Sequence, residues 1–377
     1  MTAWARPIET GWVIDGEVPG PHIDEFADPG EVVTALAGAH GETLLAVQHP
    51  HRTPAALAGN LTLAGALPAA RSALDRLLAK AYRPVRDVVA GYQVDGPDGT
   101  ALGVLCLIDP AAVDAHVWHS EEVYPRIVAE RAATLLGLGR ATSAALLVPV
   151  SGGEALTAAV ADAVGSGEPR VHTTDAGGRT HRLWLLEDYA DVLAAVRRQP
   201  LLVADGNHRV AAASSANAPL LAMVTAGPDL RIGAIHRALS GTGLSTTDLA
   251  DAWRRAGLAV RVEADPPPPT RPGTVTVTGG LVVDLPESGE PPPRIDHGLV
   301  ERLHIAGALG IDPAGPHVRA LPAGHVPGPD VDAVLRLAPV PFADVLAVHA
   351  QGRRMPRKST YFTPKPASGL LIADLPG

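Results

Sequence analysis

The polar run Asp205-Gly206-Asn207-His208-Arg209 follows directly on the apolar stretch Leu201-Leu202-Val203-Ala204. An apolar strand that ends in a glycine turn and opens a helix leaves free backbone N–H groups at the positive end of the helix dipole. That arrangement is a site for an anion. Arg209 adds a planar fork that suits phosphate or carboxylate. His208 has the chemistry to donate to a phosphate oxygen or to move a proton. The competing reading is structural: Asp205 caps the turn and Arg209 pairs with a neighbouring acid. Strand–turn–helix units are common, so spacing alone does not separate the two.

A second dense segment, Met355-Pro356-Arg357-Lys358-Ser359-Thr360-Tyr361-Phe362-Thr363-Pro364-Lys365, lies near the C-terminus. Arg357, Lys358 and Lys365 flank the hydroxyls of Ser359 and Thr360, a pattern that suits a clamp on an anionic ligand. The bland alternative is a basic loop that packs its aromatics and leaves its charges in water. Lysine is scarce in this chain, and Lys358 and Lys365 are two of the three, with Lys80. Glu121 and Glu122, read at the start of a helix over 121–136 with Ser120 as N-cap, suit a general base or a Mg2+ ligand. The same helix also reads as an ordinary salt-bridged face, with Glu122, Arg126 and Glu130 four residues apart. His236-Arg237 repeats the His–Arg pairing after a short strand. His49/His51 and His116/His119 have only weak chelating spacing, and the 15 histidines include no HExxH set. Walker, Rossmann and G-x-S-x-G motifs are absent.

Composition narrows the classes. The 377 residues suit two or three domains, and 46% hydrophobic with 19% charged residues rules out wholesale disorder. Aromatics are only 3%, so Ala, Val and Leu must build the core. A net charge of −9 argues against a generic nucleic-acid binder. Cys106 is the single cysteine, which excludes an intramolecular disulfide and a cysteine-based zinc site. No basic, then apolar, leader opens the chain and no apolar run reaches membrane-span length, so a cytoplasmic protein without a membrane partner is expected.

These residues need elements to position them. Apolar runs predict strands at Thr43–Gln48, Gly103–Ile108, 144–150, 183–186, 201–204, 220–225 and 232–235, and a strand-like end at 369–372. Helical spacing covers 69–81, 121–136, 191–198 and 297–309, with further helices from Glu154 and from about Val210. Pro-rich stretches at 266–273 and 286–294 bracket a hairpin over 274–285. Strands and helices alternate without βαβ regularity, which predicts a mixed α+β fold. The expected division is an N-terminal region 1–110, a core 111–245, and a C-terminal region 246–377 whose tail from 355 packs back on that core.

Several segments together resemble one bacterial and archaeal family, that of domain of unknown function 1015. Its pattern runs through an acidic helix start ending in Arg, a Leu-Trp strand, Ala-Asp-Gly-His-His-Arg, His-Arg, Met-Pro-x-Lys-Ser-Thr-Tyr-Phe-x-Pro-Lys and Ser-Gly-Leu. Here these are Ser120-Glu121-Glu122 through Glu130-Arg131, Arg182-Leu183-Trp184, Ala204 to Arg209, His236-Arg237, Met355 to Lys365, and Ser368-Gly369-Leu370. Two positions depart. Ser120-Glu121 stands where the family has His-Glu, with His119 displaced by one. Asn207 stands for the first His of the turn; it keeps the hydrogen bonding but offers no titrating imidazole.

The Asp-Gly-x-x-Arg turn is also similar to that of the ParB/sulfiredoxin superfamily, which includes free-serine kinases, sulfiredoxins and CTP-binding partition proteins. The resemblance implies a ParB/sulfiredoxin-like core around the strand before Asp205 and, most concretely, a small-molecule (serine-like) kinase using ADP or ATP with Mg2+. It implies that Gly206 to Arg209 hold phosphates, with Asp205 capping the turn and His208 and Arg209 adding charge. Glu121 or Glu122 would then be base or metal ligand, with Arg357 and Lys358 neutralising developing charge. The alternative, favoured by Asn207, is a nucleotide-sensing or protein-binding module without turnover.

Overall fold

The computed structural model describes residues 3–23, 29–286 and 292–375, so part of the Pro-rich stretch 286–294 lies outside the described residues. Contacts gather the chain into two units. Met1–His119, Val123–Arg231 and Thr363–Gly377 form the first; Ser120–Glu122 and Ile232–Phe362 form the second. The class is mixed α+β, with helices and strands alternating along most of the chain.

The first unit is built on a 12-stranded sheet. Its path runs Val117–Trp118, Leu201–Asp205, Ala145–Pro149, Leu220–Asp229, Gly99–Ile108, Tyr82–Gly96, Ile8–Ile14, Leu371–Asp374, Arg140–Ala141. Thr180–Leu186 adds to Tyr82–Gly96, and Val171–Thr174 adds to Thr180–Leu186. Strands from residues 1–110 and from 145–229 thus share one sheet, and Leu371–Asp374 closes against Ile8–Ile14. The central strands are continuous apolar runs because they are covered on both faces: Leu201, Leu202 and Val203 are fully buried. With Val104, Cys106, Leu147, Val210 and Val224, Leu201 and Val203 form the core under the Asp205 turn.

The second unit carries a six-stranded antiparallel sheet in the order Ala259–Val262, Leu281–Asp284, Thr274–Val277, Val331–Arg336, Ile235–Ser240, Val318–Pro322. The hairpin expected over 274–285 is its second and third strands. Helix Thr246–Arg255, opened by a Ser245/Asp248 capping box, lays Trp253 into this core. The helical run expected over 297–309 is α-helical at Asp296–Leu299 and widens to a π-helix over Val300–Gly307. Among the described residues no helix is long and apolar enough to cross a membrane.

Two expectations about elements are corrected. Thr43–Gln48 is not a strand: Leu44–Gln48 is a short helix, because the Thr43 side chain caps it by accepting from the Ala46 N–H at 3.1 Å. An apolar run this short has no periodicity that tells a buried helix from a strand. The helix read over 121–136 spans Pro125–Leu138 instead. Proline suits the first helical position and holds the residue before it out of the α region. Tyr124 is accordingly extended, at φ −86 and ψ 118, and Glu121 and Glu122 lie outside the helix. At the other end the left-handed residue that stops the helix is Gly139, at φ 64.

Candidate phosphate site and an internal carboxylate clamp

Strand Leu201–Asp205 ends at Gly206, which takes the left-handed conformation at φ 92 and ψ 30 and opens helix Asn207–Ser215. Gly206 is required twice over. Its φ is costly for any residue with a Cβ, and a Cβ here would lie 2.7 Å from Arg209 Nε. The guanidinium therefore lies across the turn. It donates to Asp205 Oδ2 through Nη2, and through Nη1 to the Ala144 carbonyl at 2.6 Å. The other carboxylate oxygen of Asp205 takes Lys365 Nζ at 2.8 Å. Asp205 thus binds two cations, and Gly206, the residue that opens the helix, supplies no side-chain cap.

The residues beside the turn are also fixed. Asn207, 7% exposed, has Oδ1 3.2 Å from His119 Nδ1, an arrangement in which the imidazole N–H donates. His208 Nε2 accepts the Tyr124 N–H at 3.0 Å, and its ring stacks on Tyr124 at 5.8 Å. Helix Pro125–Leu138 packs against helix Asn207–Ser215 and brings Arg131 within electrostatic reach of Asp205 and Arg209. The pKa of His49 is pushed down to about 4 by burial, then by Arg131, Arg52 and His51. Arg131, Arg209 and Lys365 thus all lie within electrostatic reach of the Asp205 carboxylate.

In the second unit the Met355–Thr360 loop already holds an anion, and it is Glu121. Glu121 Oε2 accepts the Lys358 N–H at 2.9 Å, while Oε1 accepts the Ser359 N–H at 3.0 Å, the Thr360 N–H at 2.8 Å and the Thr360 hydroxyl at 2.7 Å. Lys358 takes a left-handed φ of 52, which turns consecutive N–H groups inward into a nest. Backbone bonds from Met355 N–H to the Ser120 carbonyl (2.8 Å) and from Glu122 N–H to the Met355 carbonyl (3.1 Å) flank it. Arg237, 2% exposed, holds the outer side of the loop: Nη1 donates to the Lys358 carbonyl and Nη2 to the Arg357 carbonyl, each at 3.0 Å, and Nε to Glu301 at 2.7 Å. His236 Nδ1 accepts the Leu337 N–H at 3.1 Å, and burial, with Arg336 and Arg237 nearby, lowers its pKa to about 4. Glu122 is exposed.

The residues singled out from the sequence thus fall into two groups. Asp205, Gly206, Asn207, His208, Arg209 and Lys365 meet in the first unit. Glu121, His236, Arg237, Arg357, Lys358, Ser359 and Thr360 gather in the second. The sequence reading missed Tyr124, Arg131 as a neighbour of Asp205, and Glu301. For Tyr124 the signal was the following proline; for Glu301 there was none.

Residues 70–279, more than half of the chain, match the family described as "Protein of unknown function (DUF1015)". No curated protein matches the sequence. Among solved structures, a conserved hypothetical protein from Pyrococcus furiosus aligns with 71% of this chain and 95% of its own at 12% identity and a TM-score of 0.40. A free serine kinase in complex with AMP aligns with 71% of this chain and 92% of its own, again at 12% and 0.40. SbnI with a C-terminal truncation, from Staphylococcus aureus, aligns with 69% and 82% at 13% and 0.40.

Proposed function

The chain belongs to the DUF1015 family, and we propose that it binds a nucleotide, ADP or ATP, by its phosphates at the Asp205–Arg209 turn. The observation that carries this is the Gly206 turn itself: a left-handed glycine opens helix Asn207–Ser215, and Arg209 and Lys365 are both drawn to that turn by Asp205. Backbone N–H groups, a helix dipole and two cations on one turn are the components of a phosphate cradle. The strand–turn–helix that carries them is the part we read as a ParB/sulfiredoxin-like core. The reaction class that uses such a cradle is phosphoryl transfer to a small hydroxyl-bearing acceptor, as in a serine-type kinase. Asp205, ion-paired at both oxygens, serves this cradle by holding Arg209 and Lys365 in place. Magnesium fits here only as an ion carried by the nucleotide's own phosphates, since both Asp205 oxygens are ion-paired to Arg209 and Lys365. There it would neutralise phosphate charge.

Calorimetric titration with ADP, ATP and CTP, with and without Mg2+, tests the reading. ADP or ATP is expected to bind, and Arg209→Ala to weaken binding by about tenfold to a hundredfold, as for loss of a charge-assisted hydrogen bond. Failure of every nucleotide to bind, or equal binding by the variant, contradicts it.

A second reading, a nucleotide sensor without turnover, is favoured by one specific observation. His208 Nε2 is engaged by the Tyr124 N–H and the Glu121 carboxylate by four donors, so the groups expected to move protons are occupied. Phosphate transfer assayed over a panel of hydroxy-amino acids separates the two: turnover supports the kinase, and binding without turnover the sensor.

A further inference from the structure

Lys365 sits on a short segment whose two ends are fastened to one hydrogen-bonded network inside the first unit. At one end the Thr363 hydroxyl donates to the Asp98 carbonyl at 3.0 Å. At the other the Ala367 N–H donates to the Tyr92 hydroxyl oxygen at 3.0 Å. Tyr92, 1% exposed, lies 2.8 Å from His181 Nδ1, and His181, also 1% exposed, has Nε2 3.2 Å from Asp175 Oδ2. A carboxylate only accepts, so His181 Nε2–H donates outward and Nδ1 accepts the Tyr92 O–H. That orders the tyrosine with its lone pairs toward Ala367. Burial keeps His181 below its ordinary pKa, consistent with the neutral tautomer this chain needs. Asp175 is held in turn: it accepts the Arg179 N–H at 2.9 Å, and the Arg179 guanidinium closes on Asp98 at 2.8 to 3.1 Å. The network therefore begins and ends on Asp98, one side through its carboxylate and the other through its carbonyl.

Two members of this network, Tyr92 and His181, are buried, and their polar atoms are paired only along it. Its two ends fix Thr363 and Ala367, and between them stands the lysine that meets Asp205. We infer that Tyr92, His181 and Asp175 are positioning residues that hold Lys365 on the Asp205 turn. None of them touches the turn itself. The inference rests on the reading of that turn as the phosphate site for its meaning, but not for its test.

The test is residue-resolved acylation of lysines in the full chain with an amine-reactive reagent, read by peptide mass spectrometry, with exposed Lys80 as internal reference. Paired to Asp205, Lys365 is expected to react slowly in the wild type. Tyr92→Phe removes the acceptor for the Ala367 N–H and the donor to His181, and should speed labelling of Lys365 relative to Lys80 by about tenfold. Asp175→Asn, at the partly exposed end of the chain, keeps Tyr92 in place and should shift Lys365 in the same direction by less. ADP titration of the same proteins should show weaker binding in the order wild type, Asp175→Asn, Tyr92→Phe. Unchanged Lys365 labelling in both variants overturns the inference, whatever ADP does. So does faster labelling of Lys358 in parallel with Lys365, because that reports general loosening. If ADP binds none of the proteins while Lys365 alone is released, the phosphate reading falls and the positioning role stands.

Discussion

Replacing Glu121 by alanine is expected to destabilise the second unit by about 3–5 kcal/mol, the range for stripping a buried carboxylate from its partners. The carboxylate is 7% exposed and satisfies three consecutive backbone N–H groups and a hydroxyl. Without it those donors are buried with nothing to accept them, at about 1–3 kcal/mol for each unsatisfied group. Lys358 would also lose what holds it at φ 52, a conformation that costs a residue with a side chain about 1–2 kcal/mol. Glu121→Gln keeps one accepting oxygen but turns an NH2 group toward N–H donors, so it should lose less in the same direction. Chemical denaturation, with hydrogen exchange at residues 355–362, measures this. A Glu121→Gln protein with wild-type stability and no turnover would instead make Glu121 a catalytic base, and the clamp would be incidental.

The second large effect is acid loss of the same unit. His236 and His304 are lowered to about 4 and His297 to about 3, in each case first by burial. In the unfolded chain they titrate near the ordinary 6.5. Between these values the unfolded state binds more protons than the folded one. Stability is therefore complete above about pH 6.5 and falls as pH drops toward 4. With three such groups the slope approaches about 4 kcal/mol per pH unit. The geometry gives the same sign: protonated His236 would point an N–H at the Leu337 N–H it now accepts. Asp296 works the other way. Burial raises its carboxyl, so the folded state takes up its proton more readily, which offsets part of the loss at the acid end. Denaturation midpoints from pH 7 to 4.5, followed by exchange in 235–240 and 296–307, should fall steeply. A midpoint that is flat over that range contradicts the assignment of these histidines as neutral interior groups.

What was legible in the sequence was local. The apolar run Leu201–Ala204 followed by Asp205 and Gly206 announces a buried strand, a left-handed turn and a helix start within a few residues. The structure places the helix even earlier than Val210, because Gly206 ends the strand by itself. The composition-driven reading of a mixed fold and the hairpin over 274–285 rest on the same short-range signals. The partners were not legible, because they are distant in the chain. Asp205 meets a lysine 160 residues on, and Glu121 finds its donors at 358–360. The basic look of Met355–Lys365 does indicate an anion, yet nothing in its spacing says that the chain supplies one anion itself at the first half and that Lys365 answers to a different carboxylate. One misreading was avoidable: Pro125 marks the first turn of its helix and so places Glu121 before it.

The central claim is that the first turn of helix Asn207–Ser215 receives phosphate. Backbone amide resonances followed during titration with ADP test it residue by residue. The account predicts saturable shifts of the Asn207, His208 and Arg209 amides, with the Lys365 side chain moving in step and the amides of Lys358, Ser359 and Thr360 unmoved. Shifts confined to other parts of the molecule, or shifts at Lys358–Thr360 with the Asn207–Arg209 amides silent, would contradict it.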